Sequence, residues 1–521
     1  MSRFTRRDIN RGMLMLGLGA ATGGLAGTGS ALGQETPRRG GTFTAVHINE
    51  PASMDPMLGN NPNNDSRSFN LFSERLVWLD RSGDFHPWLA ESWETAEDGM
   101  SVTFRLRPGI KFQDDTDFNA EAVKFNLDRH RVPSPEGRTA PYLTAIESVE
   151  VIDDLTVRIN LTAPSAAFLS NLATEAGQIV SPTAIETLGA EFSRSPVGTG
   201  PFRLTSWSSG TIEAERWDGY WGRDANGEQL PYLDRVVFTT VPQAAVQLVQ
   251  MRAGGAQFAD NVLPQDVDDI EADPNLVLVP VQNQQIAYTA FNCETGPFAN
   301  NLELRKAVSH AINRQALADI IAGSHGGPAV CIEAPASWAT GPELRPHTYD
   351  PDLARQAYAA SGHSGPITIT IIQRDPDGQV AQLIQAMCAQ VGIDLQIEVF
   401  ERQAWGERTA NGNFQMTLQL AGTPNPDPDR TFSQYYARTA AQNYSRFTDE
   451  VIFEAVDQAR IEQDREARRL LYIKAQQQIL DQYYQTFHYY VQRYNMASPR
   501  LKNLKLGFGI GYILDDAWLE T

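Results

Sequence analysis

The chain has 521 residues, 42% of them hydrophobic and 20% charged, too long for one small module and enough to bury several cores. With 43 Lys+Arg against 63 Asp+Glu the formal charge is −20, a balance that repels polyphosphate and argues against nucleic acid as a partner. Three cysteines, Cys293, Cys331 and Cys388, are too few and too scattered for a disulfide scaffold or a Cys-x-x-Cys metal site, and allow one disulfide at most.

Residues 1–33 begin basic (Arg3, Arg6, Arg7, Arg11), continue through an apolar, Gly-rich run and end in the small residues Ser30-Ala31-Leu32-Gly33. This is the order of a secretory signal peptide, with an apolar run too short to span a bilayer. Cleavage near Gly33-Gln34 and a periplasmic destination are expected. Adjacent Arg6 and Arg7 before a weakly hydrophobic stretch suggest the twin-arginine route, although the usual Phe-Leu-Lys tail is missing. The segment carries four Arg and one Asp, so removing it takes the net charge from −20 to −23.

From residue 40 onward the pattern is α/β. Residues 42–48 alternate as a strand that Asn49-Glu50-Pro51 breaks. A second strand over 101–106 turns at Arg107-Pro108-Gly109 into a third over 110–112. Asn119 is placed to cap a helix over 120–130, and 149–159 reads as a hairpin turning at Asp153-Asp154. Further on, one amphipathic helix is expected over 302–321, a strand over 367–372, a helix over 379–391 stopping at Gly392, and a strand over 393–400. That succession is a βαβ unit, which implies a parallel sheet. The stretch 450–482 alternates charged and apolar faces as a surface helix or helix pair.

Motifs for catalysis are wanting. Gly17-Leu18-Gly19 with Gly23 imitates a dinucleotide loop but lies in the leader and follows no strand. In Val197-Gly198-Thr199-Gly200-Pro201 the proline lacks an N–H for a phosphate cradle, so a tight turn is the better reading. HExxH and GxSxG are absent, and the eight histidines are dispersed without metal-ligand spacing. Asp114-Asp115 and Asp266-Val267-Asp268-Asp269 lack an EF-hand pattern and read as solvated loops. The expectation is no enzyme, no cofactor and no metal.

The order of segments resembles the family 5 extracellular solute-binding proteins, the periplasmic receptors of peptide, nickel and opine ABC importers. The densest stretch is Pro87-Trp88-Leu89-Ala90-Glu91-Ser92-Trp93-Glu94, followed by residues 98–112 and Asn119-Ala120-Glu121-Ala122-Val123. Pro196-Val197-Gly198-Thr199-Gly200-Pro201-Phe202, Tyr220-Trp221-Gly222, Tyr232-Leu233-Asp234 and residues 304–314 add to it. The resemblance implies the two-lobed periplasmic binding protein fold of type II, similar to cluster C, with an extra subdomain in the first lobe. Lobe I would run over 34–289 with its subdomain near 80–195, lobe II over 290–494, and 495–521 would return to lobe I. Two strands, near 286–292 and 489–496, would form the hinge. A monomer would capture a small molecule or short peptide by hinge closure and deliver it to an inner-membrane permease and ATPase complex.

For the ligand, the resemblance implies an arginine for a peptide carboxylate and an aspartate for its ammonium. Arg374 falls where that arginine would sit, and its planar fork suits a carboxylate; the alternative is a surface arginine capping the next helix. Pro424 replaces the aspartate, which leaves the ammonium to another acid such as Glu50. Arg402 stands where the family's dipeptide receptor has a pocket tryptophan, or is a solvated strand-end charge. Trp405 is a stacking platform or a helix-packing residue. Asn425, Asn49 and Glu50 complete the candidate site, the last two also readable as an ordinary turn. A carboxylated peptide is the first reading of the solute, and an oligosaccharide, opine or metal chelate the alternative.

Overall fold

A computed structural model describes residues 36–58, 68–81, 83–134, 137–260, 262–281, 285–422, 427–507 and 511–520. The leader lies outside them. Among the described residues no helix is long and apolar enough to cross a membrane.

The first sheet has seven strands, in the order 202–208, 211–216, 235–240, 42–47, 258–259, 494–497, 277–280. Strand Thr42–His47 lies in its middle, parallel to both neighbours, and buries Phe43, Ala45 and Val46. Burial on both faces suits a strand inside a parallel segment. The second sheet has six strands, in the order 326–328, 485–491, 285–291, 416–422, 367–372, 395–400. Ile367–Ile372 and Leu395–Phe400 pair in parallel across helix Asp377–Gln390, the expected βαβ unit. That helix stops before Gly392, whose φ of +87° lies in the left-handed region glycine occupies most easily. A third, antiparallel sheet orders 90–95, 101–106, 156–161 and 146–153, and is covered by helix Ala120–His130 with Phe104, Phe112, Leu127 and Ile159 in its core.

Asn119 caps helix Ala120–His130 as expected, its side chain accepting from Ala122 N at 3.0 Å. Two expectations are corrected. Residues 110–112 form no strand: Lys111 makes a single bridge to Asp117, and Phe112 N donates to Thr116 O at 2.8 Å, closing a turn that buries Ile110 and Phe112. The helix expected over 302–321 is two, Leu302–Ala311 and Arg314–Ile321. Between them Ile312 is extended, and the Asn313 side chain accepts from Ala316 N at 3.0 Å to start the second helix. A short polar side chain that can bond its own backbone competes with the helix ladder, and here it wins. Residues 450–482 resolve into the helix pair Glu450–Ile461 and Arg465–Asp481.

Two crossings join the first sheet to the second. The chain leaves strand Val277–Pro280 and enters Gln285–Phe291, then returns from Gln485–Val491 to Tyr494–Ala497. The crossings are stitched by Val281 N to Arg493 O at 2.8 Å and by Gln492 Nε2 to Val281 O at 2.7 Å. After the return, Tyr512, Leu514 and Ala517 pack into the core of the first sheet with Phe43 and Phe238.

Three of the motif stretches meet at one buried carboxylate. Glu74 Oε1 accepts from Trp88 Nε1 (2.9 Å) and Tyr220 OH (2.7 Å), and Oε2 from Trp221 Nε1 (2.7 Å) and Thr199 Oγ1 (2.8 Å). Gly198 lets the Thr199 loop lie flat on the neighbouring backbone, since a Cβ there would stand 2.3 Å from Phe72 O and 2.9 Å from Ser73 Cα. Gly198→Ala is expected to destabilise the fold by about 1–3 kcal/mol through this overlap. A denaturation midpoint unchanged from the parent would contradict it.

Candidate functional site

Sheet polarity determines which strand ends face the crossings. In the first sheet the crossings attach at Pro280 and Tyr494, which pair with each other. Phe258–Ala259 runs antiparallel to Tyr494–Ala497, and Thr42–His47 runs parallel to Phe258–Ala259, so the first strand brings its C-terminal end to that side. Asn49 and Glu50 leave from there. In the second sheet the crossings attach at Gln285 and Val491, also a pair. Met416–Gly422 is antiparallel to Gln285–Phe291 and parallel to Ile367–Ile372, which is parallel to Leu395–Phe400. All three of these strands therefore end on the crossing side, and Arg374 and Arg402 follow two of them. Segments beyond the C-terminal ends of parallel strands are where α/β sheets place ligands.

On the first-sheet side Asn49 and Glu50 are exposed. Trp207 Nε1 donates to Glu50 Oε1 at 2.6 Å, Arg194 Nη1 lies 3.6 Å from the same oxygen, and the Arg194 guanidinium sits 3.9 Å over the Trp207 ring. Glu50 is thus a held and partly neutralised acid rather than a free one.

On the second-sheet side Arg374 and Arg402 come together around Asp377. Arg374 Nη2 donates to Asp377 Oδ2 at 2.8 Å and to Oδ1 at 3.1 Å, and Nε reaches Oδ1 at 3.3 Å. Asp377 opens helix Asp377–Gln390, so the guanidinium braces the turn into that helix. Burial raises the Asp377 carboxyl above its usual range, opposed by the Arg374 hydrogen bond and by the charges of Arg374 and Arg402. Asp375 and Glu401 neighbour the two arginines in the chain, so acids and bases are interleaved at this corner. Arg374 Nη1 makes no hydrogen bond among the described residues, Nε and Nη2 being engaged with Asp377.

Trp405 is 8% exposed, donates from Nε1 to Thr417 Oγ1 at 3.3 Å and packs 5.8 Å from the Tyr444 ring. It supports helix Arg402–Ala410 and offers no open face comparable to a stacking platform. Asn425 and Pro424 lie outside the described residues. Sequence reasoning missed Asp377, although it stands three residues after Arg374, a spacing suited to an ion pair. It also missed Trp207, 157 residues from Glu50, for which no local signal exists.

Among the described residues no group of three or more His, Cys, Asp or Glu side chains could hold a metal. The three cysteines are free thiols, and burial raises all three, Cys293 to about 11 and Cys388 to about 12, so none is poised as a nucleophile.

Residues 84–443 match the family model for bacterial extracellular solute-binding proteins, family 5, middle. The chain belongs to this family. One family 5 relative, the dipeptide-binding protein of Escherichia coli K12, is 28% identical over 480 residues, covering 84% of this chain and 88% of its own. Another, the glutathione-binding protein GsiB of Shigella flexneri, is 32% identical over 408 residues, covering 78% of this chain and 76% of its own. The solved structure of the periplasmic binding protein DppA from Helicobacter pylori, in complex with peptide STSA, superposes with a TM-score of 0.74 at 26% identity, covering 93% of this chain and 99% of its own. HbpA2 from Haemophilus parasuis shares the fold at a TM-score of 0.83 and 23% identity, covering 92% of this chain and 100% of its own. The two-lobed α/β fold of family 5 and its role in solute capture for ABC importers follow.

Proposed function

We propose that this protein is the exported receptor of a peptide ABC importer, which closes its two lobes on a short peptide or peptide-like acid and presents it to the permease and ATPase. The observation that carries the reading is the pair of facing strand ends, with Arg374 and Arg402 around Asp377 on one lobe and Glu50 held by Trp207 on the other. A peptide is zwitterionic, and these ends offer a guanidinium to one terminus and a carboxylate to the other. The likeness to dipeptide- and glutathione-binding relatives supports the same class of solute. A modified peptide of the kind named for the second relative is a further reading, supported by the 32% identity to that relative. The leader at residues 1–33, the twin-arginine route, a periplasmic destination and a monomeric state belong to this proposal, as does the absence of catalytic activity.

A receptor that buries its solute gains stability by mass action, about 2.7 kcal/mol at a ligand concentration 100 times Kd. Di- and tripeptides are expected to raise the melting temperature and to reduce the radius of gyration in X-ray scattering. No peptide raising the melting temperature, with a non-peptide solute recovered by mass spectrometry of the purified protein, would replace the peptide reading.

A further inference from the structure

Beyond the Arg374 corner, a cavity of about 710 Å³ opens where the four-stranded sheet's surroundings meet the second lobe. Its walls include Tyr142, Thr144 and Asn171 from one side and Arg430, Ser433 and Arg460 from the other. The volume is that of a small-ligand pocket. The same two walls touch nearby, where Ser170 Oγ donates to Asp427 Oδ2 at 3.4 Å and Ala166 N to Arg460 O at 3.0 Å. Asp427 and Arg430 come soon after the end of strand Met416–Gly422, one of the strand ends on the crossing side.

The cavity walls carry two acids, Asp429 and Asp457, and two arginines, Arg430 and Arg460. Asp429 faces Arg460 at 3.5 Å and takes a hydrogen bond from Ser433 Oγ at 3.3 Å. Asp457 lies in the field of Arg438, which is itself forked onto Glu450, and Glu175 in that of Arg75. Tyr142 is largely buried beside Glu175, and burial and that carboxylate raise its hydroxyl well above the usual range, so it stays a neutral donor. Arg430 lies 4.2 Å over the Tyr142 ring and has no carboxylate within ion-pair distance among the described residues. A half-buried guanidinium seated over an aromatic ring whose hydroxyl it shares with Glu175, and making no ion pair within 4 Å among the described residues, is preorganised for an anion brought from outside.

We infer that this cavity is a side-chain subsite of the receptor and that Arg430, seated on Tyr142, selects peptides carrying an acidic side chain. The inference rests on the peptide reading above. One guanidinium with hydroxyl and amide neighbours balances a single carboxylate, whereas a phosphate would bring nearly twice the charge. Arg430 is a specificity-determining residue here, separate from the Arg374 corner that serves a terminal carboxylate.

The test uses calorimetric titration with alanine tripeptides carrying Glu at the first, second or third position, each against its Gln counterpart. The parent protein is expected to prefer one Glu peptide over its Gln twin by roughly ten- to a hundredfold. Arg430→Met and Arg430→Gln are expected to reduce that preference to less than about threefold while binding the Gln peptides as before, which also shows that the variants are folded. Peptides that bind with no Glu preference at any position, or a preference that survives both substitutions, would overturn the subsite and leave the peptide reading standing. Failure of every tripeptide to bind the parent would overturn both.

Discussion

Glu74→Leu is expected to lower the stability of the first lobe by at least about 4 kcal/mol. Four buried donors converge on this carboxylate, two indole N–H groups and two hydroxyls. Removing the acceptor leaves each without a partner, at about 1–3 kcal/mol apiece. Glu74→Gln is the sharper variant. Each carboxylate oxygen takes one indole N–H, from Trp88 on Oε1 and from Trp221 on Oε2, and an indole can only donate. Whichever way the amide lies, its NH₂ meets one of them, so a loss of about 1–3 kcal/mol is expected. The two variants also differ from the parent in pH dependence. Burial outweighs the four hydrogen bonds and raises the Glu74 carboxyl from 4.5 to about 7. A folded-state pKa above the unfolded one favours the protonated fold, so the parent's contribution is full below about pH 4.5 and is lost as pH rises through 7. The stability gap between the parent and Glu74→Gln should therefore narrow from pH 5 to pH 8, as measured by chemical denaturation followed by circular dichroism. A gap that widens over that window would show that the hydrogen bonds outweigh burial.

The same carboxylate shows where reading the sequence runs out. Its donors lie 14, 125, 146 and 147 residues away, so the Trp88, Thr199 and Tyr220-Trp221 stretches are recognisable as motifs while the point they share is not. Local signals carry further. Helix Ala120–His130 and strand Ile367–Ile372 follow from a cap residue and a β-branched run, both of which act on near neighbours. The break at Ile312–Asn313 escapes because the apolar period continues through it, and one side-chain hydrogen bond to Ala316 N decides the matter. In the candidate site the topology brings Arg374, Arg402, Asn49 and Glu50 to facing strand ends. What could not be read is what already occupies them: Asp377 on Arg374, and Trp207 and Arg194 on Glu50.

Arg468→Met is the other substitution with a large expected effect, because it strands a buried charge. Arg468 forks Asp427 through two bonds of 2.6 Å, donates from Nε to Ala459 O at 2.9 Å and from Nη2 to Tyr472 OH at 3.0 Å. Both side chains are only 6% exposed. Methionine fills much of the same volume but leaves the Asp427 carboxylate buried without its counter-ion, a loss of about 3–5 kcal/mol. Asp427→Asn with Arg468→Met removes both charges while keeping an acceptor for Asp429 N, which donates to Asp427 Oδ1 at 2.9 Å. The double variant is expected to be more stable than the sum of the single losses predicts, with a coupling of about 1–3 kcal/mol. Asp427 also accepts from Ser170 across the lobe boundary at 3.4 Å, so an Asp427 no longer held by Arg468 should weaken closure as well as folding. Ligand affinity falling with stability in Arg468→Met, and returning with it in the double variant, would tie the buried pair to the clamp; affinity unchanged while stability falls would confine it to the fold of the second lobe.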